Sequence, residues 1–248
     1  MSVTVTFVGS GDAFGSGGRF QTCIMVDAPG VRFVIDFGCS SLIALNKMGI
    51  PHNSIDAIVL THIHGDHAGG IPFMLVDAML GAKRATPLTI AGPRQTTEML
   101  AGYMEVLFPG SAVMQPKFDL DYIEMEVMKP NVLGDLGITV TPYPAHHTGE
   151  TNPTSVRCEV AGKVVSYTGD SAWTKHMPKV AAGADLFIAE CYFHRKPIRF
   201  HMNYPDVVEH RDELGAERTI LTHMSPEMLA EADNVPEECA YDGLVVEL

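Results

Sequence analysis

The sequence predicts an α/β fold with helices covering two sheets, built as one domain over residues 1–248. Two observations lead to this prediction. Apolar segments of strand length alternate with segments of helical periodicity in both halves of the chain. No linker rich in serine and proline divides the two halves, and 248 residues leave room for one large domain.

The beginning of the chain contains three predicted strands. Residues 3–8 alternate apolar and polar side chains, and residues 22–27 and 31–36 form a hairpin around a Pro29-Gly30 turn. A glycine-rich loop at residues 9–18 separates the first two strands. It lacks the G-x-G-x-x-G spacing and a following G-K-[ST], so we interpret it as a tight turn lining a cleft rather than as a phosphate cradle.

Beyond this hairpin, strands and helices continue to alternate. Predicted helices cover residues 40–48, 71–80, 94–107, 172–182 and 205–214. Predicted strands cover residues 55–60, 87–91, 123–128, 138–143, 155–160, 164–168, 186–189 and 219–222. Ser40 or Ser41 is the expected cap of the first helix.

The composition is acidic, with 17 Lys and Arg against 30 Asp and Glu and a formal net charge of −13. Tight binding to long nucleic acids requires a basic surface that releases counterions, and the sequence has no basic stripe. We therefore expect a small-molecule substrate and no long nucleic acid as partner. The formal charge omits bound cations, which would change the local charge of a site.

The start of the sequence and its cysteines predict a cytoplasmic protein with no membrane partner. Residues 1–8 lack the basic leader and apolar run of a signal peptide. No apolar run approaches the ~18 residues needed to cross a bilayer. The five cysteines are scattered and have no C-x-x-C spacing, as expected of reduced thiols.

The motif His62-x-His64-x-Asp66-His67 suggests a metal site. It lies between a buried strand and a helix, so four potential ligands converge in one loop. Imidazole and carboxylate groups bind Zn²⁺ and also Mn²⁺ or Fe²⁺, and a site without thiolates is typical of catalysis. The sequence therefore predicts a catalytic metal centre.

Other potential ligands also follow predicted strands. His146, His147, Asp170 and His223 each lie just after such a strand. Loops at strand ends gather at one edge of a sheet, where a rigid scaffold holds them in place. We expect further ligands to come from these four residues.

Four motifs, taken in chain order, resemble the metal-binding motifs of the metallo-β-lactamase superfamily. They are Thr61-His62-Ile63-His64-Gly65-Asp66-His67, His146, Tyr167-Thr168-Gly169-Asp170 and Leu221-Thr222-His223. The segment Gly9-Ser10-Gly11-Asp12-Ala13-Phe14-Gly15 and the pair Glu190 and His201 resemble the ribonuclease Z and phosphodiesterase branch. The resemblance implies an αββα sandwich, the metallo-β-lactamase fold, with two metals in the cleft between the sheets.

The resemblance also implies a role for each ligand. Its two metals would be held by His62, His64 and His146, and by Asp66, His67 and His223, with Asp170 as the bridge. The metals would be two divalent ions, Zn²⁺ first and Mn²⁺ or Fe²⁺ as alternatives. Such a pair supplies a hydroxide nucleophile at neutral pH, which Asp66 would orient. His147 has no counterpart among the family's ligands, and its role is left open.

His201 and Glu190 are the expected groups beside the leaving group. His201 would donate a proton or stabilise charge there, and Glu190 would orient His201. The resemblance to ribonuclease Z supports both assignments. The chain departs from that pattern at Met202-Asn203, which replace the small hydroxyl residues that usually follow the histidine.

The predicted function is hydrolysis of a small phosphodiester or cyclic phosphate by a metal-dependent enzyme. Ribonuclease Z carries a tRNA-binding arm before the bridging aspartate, whereas residues 148–169 have room only for two short strands and a turn. One alternative is hydrolysis of a lactone or other carboxylic ester at the same metal centre. Another is a metal-binding or redox protein without hydrolytic activity. The resemblance and the apolar helices also suggest a homodimer.

Overall fold

The structure is a computed structural model and describes residues 2–248. Within these residues, fourteen strands and seven α-helices are joined by loops and short 3-10 helices. The strands are β1 Thr4–Gly9, β2 Cys23–Ala28, β3 Val31–Ile35, β4 Ala57–Val59, β5 Leu88–Gly92, β6 Leu120–Glu124, β7 Asn131–Val132, β8 Ile138–Pro144, β9 Thr154–Val160, β10 Lys163–Tyr167, β11 Leu186–Glu190, β12 Thr219–Thr222, β13 Glu238–Cys239 and β14 Val245–Glu247. The helices are α1 Ser41–Met48, α2 Gly65–Ala68, α3 Ile71–Leu80, α4 Thr96–Leu107, α5 Met177–Ala181, α6 Tyr204–Leu214 and α7 Pro226–Leu229. Within residues 2–248, none of them has the length and hydropathy to cross a membrane.

The strands form two seven-stranded sheets. The first has the order β14-β1-β2-β3-β4-β5-β6, and the second has the order β13-β12-β11-β10-β9-β8-β7. Strands β3 to β6 are parallel to one another, as are strands β10 to β13. The loops after these parallel strands therefore gather at one edge of each sheet, which is where a site is expected in such folds.

Side chains along the strands alternate between three cores, which defines the layers. In β3, Phe33 and Ile35 pack between the two sheets, whereas Val34 packs against the helices outside the first sheet. In β11, Ile188 faces the inter-sheet core and Phe187 faces the helices outside the second sheet. This period of two places helices on both outer faces and confirms the αββα sandwich. The assignment of residues 1–248 to one domain stays a prediction.

The structure differs from the expected elements mainly where segments are short. The predicted helix 172–182 is reduced to α5, because residue Ala172 pairs with His146 in an isolated β-bridge and Pro178 lies in the first turn. The hydroxyl of Ser40 does not cap α1, since it accepts the backbone N–H of Gln21 at 2.8 Å. The four-residue helices α2 and α7 and strands β13 and β14 were not anticipated.

Candidate metal centre

Loops that follow β4, β8, β10 and β12 bring metal-ligating side chains together between the sheets. These side chains form two groups. The first consists of His62, His64 and His147, and the second consists of Asp66, His67, Asp170 and His223. Within each group the donor atoms lie within 4.8 Å of one another. The first sheet supplies the residues of the H-x-H-x-D-H motif and the second sheet supplies the others. The site thus spans the cleft, as the resemblance implied.

The first group consists of three imidazoles whose nitrogens face one another. His64 Nδ1 lies 3.1 Å from His62 Nε2 and 3.0 Å from His147 Nε2. Burial lowers the pKa of all three side chains, and for His62 the nearby His67 lowers the pKa further. Neutral imidazoles with converging lone pairs provide the ligand chemistry that a zinc-like cation requires.

The second group combines two carboxylates with two imidazoles. His67 Nε2 lies 3.2 Å from both Asp66 Oδ2 and Asp170 Oδ1, and His223 Nε2 lies 3.3 Å and 3.4 Å from the same two atoms. His67 Nε2 and Asp170 Oδ1 are buried and have no hydrogen-bond partner. Buried polar atoms normally have partners, so these unpaired atoms fit a divalent cation between them.

The structure places His147, rather than the predicted ligand His146, in the first ligand group. The backbone N–H of His146 donates to Ser171 Oγ at 2.8 Å, and its side chain is exposed. The adjacent His147 is buried and joins the first ligand group instead. The two histidines are neighbours in the chain, but it is His147 whose Nε2 lies 3.0 Å from His64 Nδ1. The sequence pattern placed a ligand here, but it did not determine which histidine faces the cleft.

The predicted pair of His201 and Glu190 lies beside the second group. His201 Nδ1 is 2.8 Å from Glu190 Oε2 and 3.9 Å from Asp170 Oδ2. Glu190 is fully buried, and its other oxygen accepts the backbone N–H of Ser171. Burial opposes protonation of His201, but the charge and hydrogen bond of Glu190 together with the charge of Asp170 outweigh burial and raise the pKa of His201. The side chain of His201 is 17% exposed, so the ring borders the cleft.

Asp170 also belongs to a third group, with Glu190, His201 and His223. Its carboxylate therefore lies between the second ligand group and the His201–Glu190 pair. The structure does not group Asp170 with His62 and His64, and its role as a bridge between two metals stays a prediction.

Asp36 contacts the ligand groups, and the sequence did not single it out. It is fully buried at the end of β3, and its Oδ2 lies 2.7 Å from His67 Nδ1. The same carboxylate accepts the backbone N–H and the hydroxyl of Thr61, each at 2.8 Å. It thereby fixes the ring that presents Nε2 to the cleft. An acidic residue directly after an apolar strand, as in Ile35-Asp36-Phe37, is the signal that could have identified it.

Two cavities lie near the ligands and differ in character. The metal cleft has a volume of about 310 Å³ and combines ligand side chains with Phe14, Tyr192 and Ile198. A larger groove of about 830 Å³ lies between α1, α3 and α4, and its lining is almost entirely apolar. The larger groove contains none of the predicted ligands, so size alone does not identify the site of chemistry.

Comparison with known proteins agrees with this architecture. The family described as "Anti-Pycsar protein Apyc1" matches residues 3–240. A ribonuclease Z of Alkaliphilus oremlandii is 32% identical over 139 residues, which make up 56% of this chain and 40% of that protein. A ribonuclease Z of Methanothermobacter thermautotrophicus is 28% identical over an alignment of 265 positions, covering 89% of this chain and 86% of that protein.

Among solved structures, the metallo-β-lactamase fold protein YhfI from Bacillus subtilis has a TM-score of 0.78 at 22% identity, with all of both chains covered. This similarity confirms the fold, and the ribonuclease Z relatives agree with the prediction of a metal-dependent hydrolase. Because the family match covers nearly the whole chain, this protein belongs to the Anti-Pycsar protein Apyc1 family and is a ribonuclease Z-like member of the metallo-β-lactamase superfamily.

Proposed function

We propose that this chain hydrolyses a small phosphodiester or cyclic phosphate at a centre of two divalent cations. The observation that carries the proposal is the His201–Glu190 pair, held 2.8 Å apart beside the ligand carboxylate of Asp170. A buried carboxylate that keeps a cleft-facing histidine protonated provides a proton donor for an alkoxide leaving group. Esters with poor leaving groups depend on such a donor in the transition state.

The metal ligands in this proposal are those of the two observed groups. Two Zn²⁺ ions, with Mn²⁺ or Fe²⁺ as alternatives, would polarise a phosphoryl oxygen and supply hydroxide at neutral pH. The carboxylate of Asp66 is positioned to accept a hydrogen bond from the attacking oxygen and so to orient it. On the other side of Asp170, His201 donates its proton to the departing oxygen.

The dimensions of the cleft favour a small substrate. A volume of about 310 Å³ is at the lower end of the range for small-molecule sites. The chain between β8 and the loop of Asp170 forms one turn of 3-10 helix at Gly149–Thr151 and the hairpin of β9 and β10, with a tight turn at Ala161 and Gly162. With a net charge of −13, the protein also lacks the overall basicity expected of a long-RNA binder.

The test is turnover of bis(p-nitrophenyl) phosphate and of nucleoside cyclic phosphates by purified protein loaded with zinc or manganese. His64→Ala is expected to abolish turnover, because it removes a ligand that touches both other imidazoles of its group. His201→Ala is expected to lower kcat by roughly 10²- to 10⁴-fold, the usual contribution of a general acid. Absence of turnover above the His64→Ala background would refute the proposal.

The ester alternative is resolved in the same experiment. If a carboxylic ester were the substrate, the protein would hydrolyse members of a lactone panel in an assay that measures proton release. This activity would persist in His201→Ala. Metal analysis that finds reducible iron, together with no hydrolysis of any ester, would instead support the redox alternative.

A further inference from the structure

His223 and Asp170 each have a second donor atom that faces away from the second ligand group. His223 Nε2 and Asp170 Oδ1 belong to that group, 3.4 Å apart, whereas His223 Nδ1 and Asp170 Oδ2 face Glu190 and His201. Within residues 2–248, His223 Nδ1 is buried and has no hydrogen-bond partner, since Glu190 Oε2 lies 3.9 Å away, beyond hydrogen-bonding distance. Buried polar atoms normally have partners, so this nitrogen fits a second bound cation.

Four donor atoms, including this nitrogen, lie close together. Glu190 Oε2 lies 2.8 Å from His201 Nδ1, and Asp170 Oδ2 lies 3.9 Å from the same nitrogen. One donor atom from each of Asp170, Glu190, His201 and His223 lies within 4.8 Å of the other three. Ligands about 2.1 Å from a tetrahedral Zn²⁺ are about 3.4 Å apart. The observed separations lie on both sides of that value, so small side-chain movements suffice to form a tetrahedral site.

The donor set and its surroundings suit a divalent cation. Two imidazole nitrogens and two carboxylate oxygens are ligands that Zn²⁺ and Mn²⁺ accept. Glu190 is fully buried, and a buried carboxylate needs a cationic partner to offset the loss of its hydration. The side chain of His201 is 17% exposed and lines the metal cleft. A cation in the cleft therefore reaches the four donors past the ring of His201.

We propose that Asp170, Glu190, His201 and His223 form a third cation site, which takes up Zn²⁺ after the two ligand groups have bound theirs. The site itself is independent of the proposed function, but its effect on activity rests on that function, because His201 is the proposed acid. Binding displaces the Nδ1 protons of His201 and His223 to solvent. His201 is left as a neutral ring, whose Nε2–H is a far weaker proton donor than an imidazolium. Excess zinc therefore inhibits hydrolysis.

The first test counts bound zinc by equilibrium dialysis, up to zinc concentrations that saturate the wild type. Glu190→Gln and His201→Ala are each expected to bind one zinc ion fewer than the wild type, because each variant lacks one donor of the third site. Glu159→Gln is the matched control, since this carboxylate is exposed on β9, and it is expected to bind as many ions as the wild type. Equal numbers of zinc ions in all four proteins would overturn the proposal. If Glu190→Gln fails to fold, His201→Ala at the border of the cleft decides the count.

The second test measures turnover of bis(p-nitrophenyl) phosphate as zinc is raised beyond saturation of the two ligand groups. The kcat of the wild type is expected to fall by roughly 10²- to 10⁴-fold, to the level of His201→Ala. His201→Ala has no acid to lose, so its residual rate is expected to be insensitive to excess zinc. Equal inhibition of both proteins would refute inhibition through His201. If the wild type has no turnover at any zinc concentration, the proposed function fails, and the zinc count still decides whether the third site exists.

Discussion

The histidines of the cleft differ in the hydrogen-bond partner of one ring nitrogen, the one that does not face the proposed metal sites of the two ligand groups. Each of four rings has an oxygen near that nitrogen: Thr61 Oγ1 for His62, Asp36 for His67, the carbonyl of Phe200 for His147, and Glu190 for His201. Such a partner fixes the orientation of the ring. The hydroxyl, the carbonyl and the carboxylate of Asp36 hold rings of the two ligand groups, whereas Glu190 raises the pKa of His201, which we propose as the acid.

Asp36→Asn is expected to weaken metal binding by roughly 10- to 100-fold, because the ring of His67 loses the carboxylate that orients it. Competition with a chromophoric chelator measures the affinity. Asp56→Asn is the control, since Asp56 accepts a backbone N–H from Arg32 at 2.8 Å and is not among the ligand groups. An unchanged affinity in Asp36→Asn would show that His67 is held by the backbone alone.

Glu190→Gln is expected to move the alkaline limb of the pH–kcat profile to lower pH. Burial lowers the pKa of His201, but Glu190 and, to a smaller extent, Asp170 raise it, and the pKa lies above its usual value. The protonated acid is therefore present below this raised pKa and is lost as pH rises through it, so activity falls on the alkaline side. Removing the charge of Glu190 lowers the pKa of His201. Glu159→Gln, on the outside of β9, is expected to leave the limb in place.

For individual residues, the sequence predicted which residue types form the site better than it predicted where their side chains point. The motif from His62 to His67 was predictable because all its ligands lie in one loop and its first turn of helix. The choice between His146 and His147 depended on the β-bridge of His146 to Ala172, a contact between distant parts of the chain. Asp36 was missed for a similar reason, since its partners lie 25 and 31 residues away.

The junction of α2 and α3 is the element that joins the ligand loop to the first sheet. The N–H of Gly70 donates to the carbonyl of Phe37 at 3.0 Å, and the N–H of Phe37 donates to the carbonyl of His67 at 2.6 Å. A Cβ atom at Gly70 would overlap the carbonyl of Gly38. The loop that carries His67 thus depends on close contact between backbones.

Gly70→Ala is expected to lower the free energy of unfolding by about 1–3 kcal/mol, because the added methyl group must displace backbone. Urea denaturation of the zinc-free protein measures the change. Gly102→Ala in α4 is the matched control, since nothing lies within 4 Å of its added Cβ. That variant is expected to stabilise the protein by up to about 1 kcal/mol through helix propensity. An unchanged free energy of unfolding in Gly70→Ala would mean that the segments around Gly38 and Gly70 can move apart without loss of stability.

Whether a helix could be predicted from the sequence depended on its length. The prediction of residues 71–80 as a helix is confirmed by α3, whose apolar side chains pack on the first sheet. The helices α2 and α7 have four residues each, too few for a period of 3.6 to appear. In α7, the hydroxyl of Ser225 accepts the N–H of Met228, a local cap that tertiary context stabilises.

For the molecule as a whole, the ligands connect two sheets that otherwise meet through an apolar core. Both ligand groups combine residues of the two sheets, for example His62 with His147 and His67 with His223. Cations bound there would therefore stabilise the packing of one sheet on the other as well as the loops. A cation that binds only the folded state raises the free energy of unfolding by mass action.

Removal of the metal is accordingly expected to lower the Tm of the protein. Zinc at about 100 times its Kd adds roughly 2.7 kcal/mol, which corresponds to about 5–10 °C for a chain of this size. Scanning calorimetry with zinc and with a chelator measures the shift. His223→Ala is expected to reduce it, since one imidazole of the second group is lost. Identical Tm values with and without zinc in the wild type would contradict a cation between the sheets.

The apolar groove between α1, α3 and α4 is the surface where we expect a second copy of the chain. Its lining includes Ile43, Phe73 and Val106, and Val106 is 80% exposed. Exposed apolar patches of this kind often mark interfaces. Val106→Glu is expected to convert a dimer to a monomer in light-scattering measurements of mass, and Val113→Glu is expected to have no effect. A monomeric wild type would contradict this expectation.

At the scale of the fold, alternation of strands and helices was sufficient to predict the class, and the resemblance added the two-sheet sandwich. The return of β14 to the first sheet was not predictable, because its antiparallel pairing with β1 joins the two ends of the described chain. Its three residues carry too weak a pattern to indicate a partner.

The distribution of ligands along the chain also has a consequence for when the protein first acquires metal. His223 follows β12, late in the sequence, whereas His62 follows β4. A nascent chain that ends after β11 contains all three histidines of the first ligand group. Its second ligand group still lacks the imidazole of His223. The second group, and with it the full set of ligands, is therefore complete only when synthesis has passed β12.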